Sequence, residues 1–289
     1  MPELPEVEIV RQGLIQFMTG KRIVQFEQRR SDLRWPLPKN MPERIANSKV
    51  LNILRRSKYL LINLSSQETM IIHLGMSGRL LVLKHEDETT TNIGNFNFST
   101  HQYGKHDHVI IYLECGVRIV YNDPRRFGAI DLISTKEIFN HKWLKNLGPE
   151  PLGNDFYSDH FYKNLKKRKS SIKMAIMDQG LIAGLGNIYA LESLWHSRIS
   201  PLRKACDVEK VEAETLAIAI KNVLSLAIEA GGTSLQDFRH VGGEVGYFQQ
   251  SLKVYGCLNQ QCANSDCLGI IQRVKQSGRT SYYCNNCQT

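Results

Sequence analysis

No apolar run in this 289-residue chain approaches the length that crosses a bilayer, so no membrane partner is expected. The N-terminus also lacks the basic stretch and apolar core of a secretory leader: it opens acidic and falls into a short amphipathic pattern. The expected compartment is the cytosol. No internal repeat is visible, which argues against a solenoid or propeller. Negative charge is in deficit, with 28 Asp and Glu against 37 Lys and Arg and a formal net charge of +9. Such an excess points to a polyanionic partner, although many basic proteins are simply soluble and basic. Disulfides are not expected where thiols stay reduced. The seven cysteines therefore need another explanation, and five of them fall between Cys257 and Cys287.

What is present divides by texture. Val7, Val10, Leu14, Ile15 and Met18 recur at helical spacing up to Gly20, which predicts an opening helix from about Pro5 to Met18. From Lys21 to about Thr135 the chain breaks into short β-branched stretches: 22–26, 50–54, 59–64, 70–74, 80–83, 108–113, 117–121 and 129–133. Turn formers and charges separate them, as in an antiparallel sandwich or barrel. The polar segment from His85 to Lys105 reads as a long loop within that domain. After Gly148-Pro149-Glu150-Pro151 the pattern is helical, with candidates at 159–165, 171–178, 188–196 and 208–230. A Gly-rich loop from Arg239 to Gly246 leads to the cysteine-rich tail. The predicted class is α+β: an N-terminal helix and antiparallel β-sandwich domain over 1–135, a linker over 136–150, a helical domain over 151–253, and a metal module over 254–289.

The tail contains Cys262-x4-Cys267, sixteen intervening residues, and Cys284-x2-Cys287. Four thiolates in two close pairs match a closed tetrahedral site, for which Zn²⁺ is the first choice, in a structural role. Cys257 makes a poorer knuckle, and Cys115 and Cys206 read as buried apolar thiols. Between the pairs, Gln272 to Thr280 forms a basic hairpin with a Gly turn, able either to present Arg279 to phosphate or to sit as a solvated charged turn.

Upstream, Ser171 to Gln179, the turn Gly180 to Gly186, and Asn187 to Ala190 read as helix, compact Gly turn, helix. Glycines let backbone approach a ligand, and a helix opening at Asn187 offers free amides to phosphate. Lys166 to Lys169 adds a basic run just before it. Asp123-Pro124-Arg125-Arg126-Phe127-Gly128 lies between two predicted strands. An arginine with an aromatic two residues on suits a gap left by an extruded base, and an ordinary cationic loop with one core Phe is the plain alternative. Met76 is equally open between core filler and apolar wedge. Lys58 opens a strand as either a surface or a catalytic lysine, and His106 is either a phosphate contact or half of a metal pair with His108.

The chain opens Met1-Pro2-Glu3-Leu4-Pro5-Glu6. Removal of Met1, favoured by the small Pro2, would leave a secondary amine beside a carboxylate. An α-amino group titrates near 7.7–8.0 in model peptides, so a useful fraction is nucleophilic at neutral pH. Pro-x-x-Pro as a stiff lead-in to a helix is the plain alternative.

Taken together, these motifs resemble the bacterial formamidopyrimidine-DNA glycosylases, base-excision repair enzymes that are also DNA-(apurinic or apyrimidinic site) lyases. The resemblance rests on Pro2 to Glu8, Ser57-Lys58-Tyr59, His73 to Gly78, the Asp123 to Gly128 loop, Leu147 to Leu152, the Gly184 to Ala190 turn, Gly246 to Gln249, Val254-Tyr255-Gly256 and the cysteine tail. It implies a helix-two-turn-helix domain with a four-cysteine zinc finger. Pro2 would be the Schiff-base nucleophile and Glu3 its neighbouring proton donor. Lys58 would serve β-elimination and Arg279 δ-elimination. His106, Arg125, Arg168, Lys173 and Asn187 would contact DNA, and Met76, Arg125 and Phe127 would fill the void behind the flipped base. Damaged double-stranded DNA would be the partner of a monomer associated with the bacterial nucleoid.

The chain departs from the family pattern in places. The first cysteine pair has four intervening residues where two are common, Arg168 stands where lysine is commoner, and Cys257 replaces an arginine. The expected activity is excision of oxidised purines such as 8-oxoguanine and formamidopyrimidines followed by β,δ-elimination. The sister activity on oxidised pyrimidines and a non-catalytic zinc-containing DNA-binding protein are the alternatives.

Overall fold

The structure, a computed structural model, describes residues 2–83, 104–233 and 248–289. Among them, one compact unit comprises 2–145 with 231–233, and a second comprises 146–230 with 248–289. The sequence division placed 136–150 in a linker and drew its next boundary at 253. Contacts between Cα atoms instead place 136–145 with the first unit and return 231–233 to it after the long helix. The loops expected at 85–105 and 239–246 lie outside the described residues, apart from 104 and 105.

The first unit begins with α1 (Leu4–Met18), whose residues Leu4, Val7, Val10, Leu14 and Met18 are buried at spacings of three and four. Eight strands follow: β1 (Ile23–Gln28), β2 (Val50–Arg56), β3 (Tyr59–Leu64), β4 (Glu68–His73), β5 (Arg79–Leu83), β6 (Asp107–Leu113), β7 (Arg118–Asn122) and β8 (Ala129–Ser134). They pair antiparallel into two four-stranded sheets, ordered β1-β6-β7-β5 and β2-β3-β4-β8. Alternate residues from both sheets, such as Leu60 and Ile62, Met70 and Ile72, Val109 and Ile111, and Ile130 and Leu132, share one core with α1. That period of two is the mark of a half-buried sheet. A short helix, α2 (Met41–Ile45), was not anticipated. Five residues give too few turns for a periodic signal, and the preceding Asn40 is in the left-handed region.

The second unit contains α3 (Ser158–Leu165), α4 (Ile172–Ile176), α5 (Asn187–His196) and the long α6 (Lys210–Glu229). The helix expected over 171–178 is shorter than its pattern suggested. Met177 and Asp178 leave it because the Asp178 side chain turns to cap Gly180 N at 2.9 Å. The tail forms a hairpin of β9 (Ile271–Gln276) and β10 (Arg279–Cys284). Ser277 and Gly278 both have positive φ, as a two-residue turn matched to strand twist requires. The thiols Cys115 and Cys206 were expected to be buried, and the structure corrects both: Cys115 is exposed in the β6–β7 turn and Cys206 is half-buried.

Candidate functional site

Pro2 is buried rather than frayed, immediately before α1. The reason is local. Glu3, 3% exposed, is the helix N-cap, and its backbone N–H donates to Glu6 Oε2 at 2.9 Å, half of a capping box. The other Glu6 oxygen accepts from Thr233 N at 3.0 Å and Thr233 Oγ1 at 2.9 Å. Glu6 is therefore fully enclosed and clamps the helix start against a segment 227 residues away in sequence. Neither Glu6 nor Thr233 was singled out from the sequence. The S/T-x-x-E form of the box is not written there, because a glutamate takes the cap position.

Lys58 lies in the two-residue turn joining β2 to β3, where Ser57 adopts a left-handed φ of 55°. It is 6% exposed, which sets it apart from an ordinary surface lysine. Tyr59 packs on His73 at 4.9 Å between ring centroids and stacks on Trp143 at 6.1 Å. Burial, then the charges of Lys58 and Arg34, push the His73 imidazole down to about 4. It is neutral at pH 7. Because Gly75 N donates to His73 Nδ1 at 3.1 Å, the proton sits on Nε2, making His73 a neutral donor. His73 opens the His73 to Gly78 motif, in which the sequence points to a role for Met76 and to none for the histidine.

Met76 and Phe127 are exposed apolar side chains, 37% and 44%, on two different loops of the first unit. The Arg125 guanidinium lies 4.7 Å over the Phe127 ring, so the pair presents one stacked face. The loops are in contact: a Cβ on Gly75, whose φ is +65°, would fall 2.4 Å from the Phe127 backbone carbon. His106 precedes β6, half-buried, and its carbonyl accepts from Asp123 N at 3.0 Å. Beside it the β6–β7 register shifts between Asp107 and Val109, a bulge of the kind that re-aims side chains. His108 is buried and bonds Asp123 O through Nε2 at 2.9 Å, so it does not form a metal pair with His106.

In the second unit, Arg168 Nη1 donates to Asp178 Oδ2 at 2.6 Å. Burial works against the Asp178 charge, but the Gly180 amide and Arg168 outweigh it and hold the carboxyl below its ordinary range. Arg168 is thus oriented by the turn that precedes α5. Asn187 is the first residue of α5, and its Nδ2 donates to Thr280 O at 3.1 Å, beside Arg279. Arg279 itself is exposed as the first residue of β10. Lys173 requires correction. It is fully buried, with Nζ donating to Ser281 Oγ at 2.8 Å, so its ammonium braces the hairpin from within and does not face a backbone phosphate.

The Sγ atoms of Cys262, Cys267, Cys284 and Cys287 all lie within 4.8 Å of one another. The pairs Cys262–Cys287 and Cys267–Cys284 are each 3.6 Å apart. Thiolates about 2.3 Å from a shared tetrahedral ion stand about 3.8 Å apart, so the spacing fits a metal and is far too long for a disulfide. Backbone and side-chain N–H groups point at the sulfurs: Asn264 to Cys287 at 3.2 Å, Gly269 and Asn286 to Cys267 at 3.3 Å, and Trp195 to Cys262 at 3.4 Å. Donors of that kind stabilise thiolate charge. Cys257 stands outside the cluster, 3.8 Å from the carbonyls of Leu252 and Tyr255. A buried carboxylate that the sequence did not reveal, Glu192 on α5, accepts from the amides of Lys253, Val254 and Tyr255 and anchors the chain entering this module. Burial pushes its carboxyl above the ordinary range despite those bonds.

Residues 1–130 match the formamidopyrimidine-DNA glycosylase N-terminal domain, and residues 147–239 match the H2TH domain of the same family. Formamidopyrimidine-DNA glycosylases of Ruegeria pomeroyi and Dinoroseobacter shibae are each 50% identical over 288 residues, covering 100% of both chains. Among solved structures, a complex between the Lactococcus lactis Fpg and an abasic site containing DNA superposes with a TM-score of 0.86 at 31% identity over 100% of both chains. The MutM (Fpg) protein of Thermus thermophilus does so at 0.85 and 32%, covering 99% of this chain and 98% of that one. Fold and sequence together define a DNA glycosylase of base excision repair. The chain belongs to the formamidopyrimidine-DNA glycosylase family, in which AP lyase activity is typical.

Proposed function

We propose that this glycosylase removes oxidised purines, 8-oxoguanine and formamidopyrimidines, from double-stranded DNA and then cuts the strand, with the Pro2 amine as nucleophile. The observation that carries the reading is the enclosed helix start. A chain start ordinarily frays, whereas Glu3, the residue next to Pro2, is buried and held by the Glu3–Glu6 box. A nucleophile fixed in this way approaches a sugar carbon without the entropy cost of ordering a loose tail.

The steps follow from the groups. With Met1 removed, the Pro2 nitrogen attacks C1′ as the damaged base leaves, and Glu3 supplies a proton during the exchange. Ring opening gives an iminium that acidifies C2′. The C2′ proton passes to solvent as the 3′ phosphate leaves, its departing oxygen protonated by Lys58. A second elimination, in which the C4′ proton passes to solvent and Arg279 assists the departing oxygen, expels the 5′ phosphate. Hydrolysis of the remaining iminium frees Pro2. Each half of the chemistry is general acid–base work on a covalent intermediate.

Met76, Arg125 and Phe127 fill the gap left when the base is turned out, an event that costs a few kcal/mol of unstacking. His106, Arg125, Arg168 and Asn187 contact the DNA backbone or the orphaned base. Lys173 supports that surface indirectly, through Ser281. The metal is one structural Zn²⁺ on Cys262, Cys267, Cys284 and Cys287: an all-sulfur tetrahedral set leaves no open position for catalysis. The protein works as a monomer in the cytoplasm, at the nucleoid. Among the described residues no helix is long and apolar enough to cross a membrane.

Borohydride reduction with an 8-oxoguanine duplex tests the reading, and a covalent adduct that depends on a free Pro2 amine is the expected result. Failure to trap any adduct would remove the lyase mechanism. Faster release of thymine glycol than of 8-oxoguanine would move the substrate to oxidised pyrimidines.

A further inference from the structure

The loops that carry Met76, Arg125 and Phe127 meet at one buried carboxylate. Asp123 is fully buried. Its Oδ1 accepts from Ser77 Oγ at 2.6 Å, and its Oδ2 accepts from Gly128 N at 2.9 Å and from Tyr121 OH at 3.3 Å. Ser77 Oγ, having donated its proton to Asp123, accepts from Arg125 N at 3.2 Å, and Arg125 N also lies 3.3 Å from Oδ1. Ser77 directly follows Met76, while Arg125 and Gly128 flank Phe127. The backbone of Asp123 is fixed as well, through His106 O and His108 Nε2.

The residue type matters. An ionised carboxylate is acceptor-only, so both oxygens can take donors from both loops. An amide in the same place would turn its own N–H toward a donor and break one brace. Burying a carboxylate is costly unless it is well hydrogen-bonded, so a bracing role gives this group a reason to be there. Arg126, between the two wedge residues, is held at a left-handed φ of 57°, unusual for a side chain of its size.

We propose that Asp123, acting through Ser77, is a positioning residue that presets Met76, Arg125 and Phe127 as one rigid wedge before DNA is met. The inference rests on reading those three side chains as void-filling. A preset wedge spends no binding energy on ordering its side chains during base expulsion. Its benefit therefore falls on substrates whose base must still be expelled.

The test compares Asp123→Asn and Ser77→Ala with wild type under single-turnover conditions on two duplexes of one sequence, carrying either 8-oxoguanine or a pre-formed abasic site. Excision should slow about tenfold or more, the effect expected of a broken hydrogen bond to a charged group, with abasic-site cleavage within about twofold of wild type. Fluorescence of 2-aminopurine placed beside the lesion should show weaker unstacking, and Ser77→Thr, which keeps the hydroxyl, should restore it. Equal loss on both substrates, or unchanged excision, would overturn the proposal. Should Asp123→Asn not fold, Ser77→Ala decides alone, since it removes one hydroxyl and leaves the carboxylate. Phe127→Ala separates the two layers. No excision-selective loss in that variant refutes the wedge itself, whereas such a loss there without one in Asp123→Asn or Ser77→Ala refutes only the bracing.

Discussion

Lys173 Nζ donates to Ser281 Oγ at 2.8 Å, so a lysine on a short helix is spent on the underside of the strand that begins with Arg279. Arg168, upstream in the segment between α3 and α4, remains partly exposed with its guanidinium on Asp178. The two cations therefore differ in what they can do for DNA. Arg168→Ala should weaken binding and make the salt dependence of log K shallower by about 0.9, the value for one phosphate contact. Lys173→Ala should leave that slope unchanged while costing roughly 2–4 kcal/mol of stability, as for other large-to-small changes at a buried site. Binding titrations across salt, read beside thermal melts, check both.

The proposed Pro2 nucleophile requires that Met1 be removed from the active enzyme. Intact-mass measurement should find the chain lighter by one methionine residue. A variant that retains any residue before Pro2 should bind damaged duplex and form no borohydride adduct, because an acylated proline nitrogen has no lone pair to offer.

Removing the metal should unfold the β9–β10 hairpin and abolish DNA binding while the first unit stays folded. The hairpin core is made of little more than the cysteines, Val254, Ile271, Leu191 and Trp195, too small to hold without a metal. Cys267→Ser should act like chelation. Metal analysis of the native protein should return one zinc per chain, and circular dichroism should retain the β signal after chelation.

Phe127→Ala should slow release of 8-oxoguanine more than cleavage of a pre-formed abasic site, since only the former requires an intact base to be expelled. Equal loss on the two substrates would count against the wedge role.

Acid should destabilise the first unit in a window set by His73. The folded imidazole titrates near 4 against an ordinary 6.5, because burial and the Lys58 and Arg34 charges disfavour its cation. The stability that comes from keeping it neutral is full above about pH 6.5 and is lost as the pH falls through 4. Denaturant unfolding between pH 7 and 4 should show the decline, and His73→Gln, which cannot titrate, should flatten it by roughly 1–3 kcal/mol.

The eight strands and the opening helix were legible in the sequence because their burial is periodic. Val7, Val10, Leu14 and Met18 repeat at the helical period, and Leu60, Ile62 and Leu64 repeat at two, so one face declares itself without knowledge of the partner. The cysteine quartet was legible for a related reason: metal ligation is local, and two close pairs state the chemistry through spacing alone. The helix over 171–178 was overestimated because its last residues follow a helical pattern until the Asp178 side chain captures Gly180.

The primary structure carries the candidate reactive groups: Pro2 beside Glu3, four cysteines in two close pairs, and cations near aromatics. Which of those groups face solvent, and which are consumed in holding others, was decided only by tertiary structure. Lys173 and Lys58 are both lysines beside short apolar runs, yet one is sealed against Ser281 and the other sits in a tight turn near His73. Glu6, Asp123 and Glu192 look like ordinary acidic residues in the chain, and each is a buried acceptor for donors brought from distant or neighbouring loops. A buried carboxylate is tolerable only when several donors converge on it, and convergence is a property of the folded chain that no local pattern records.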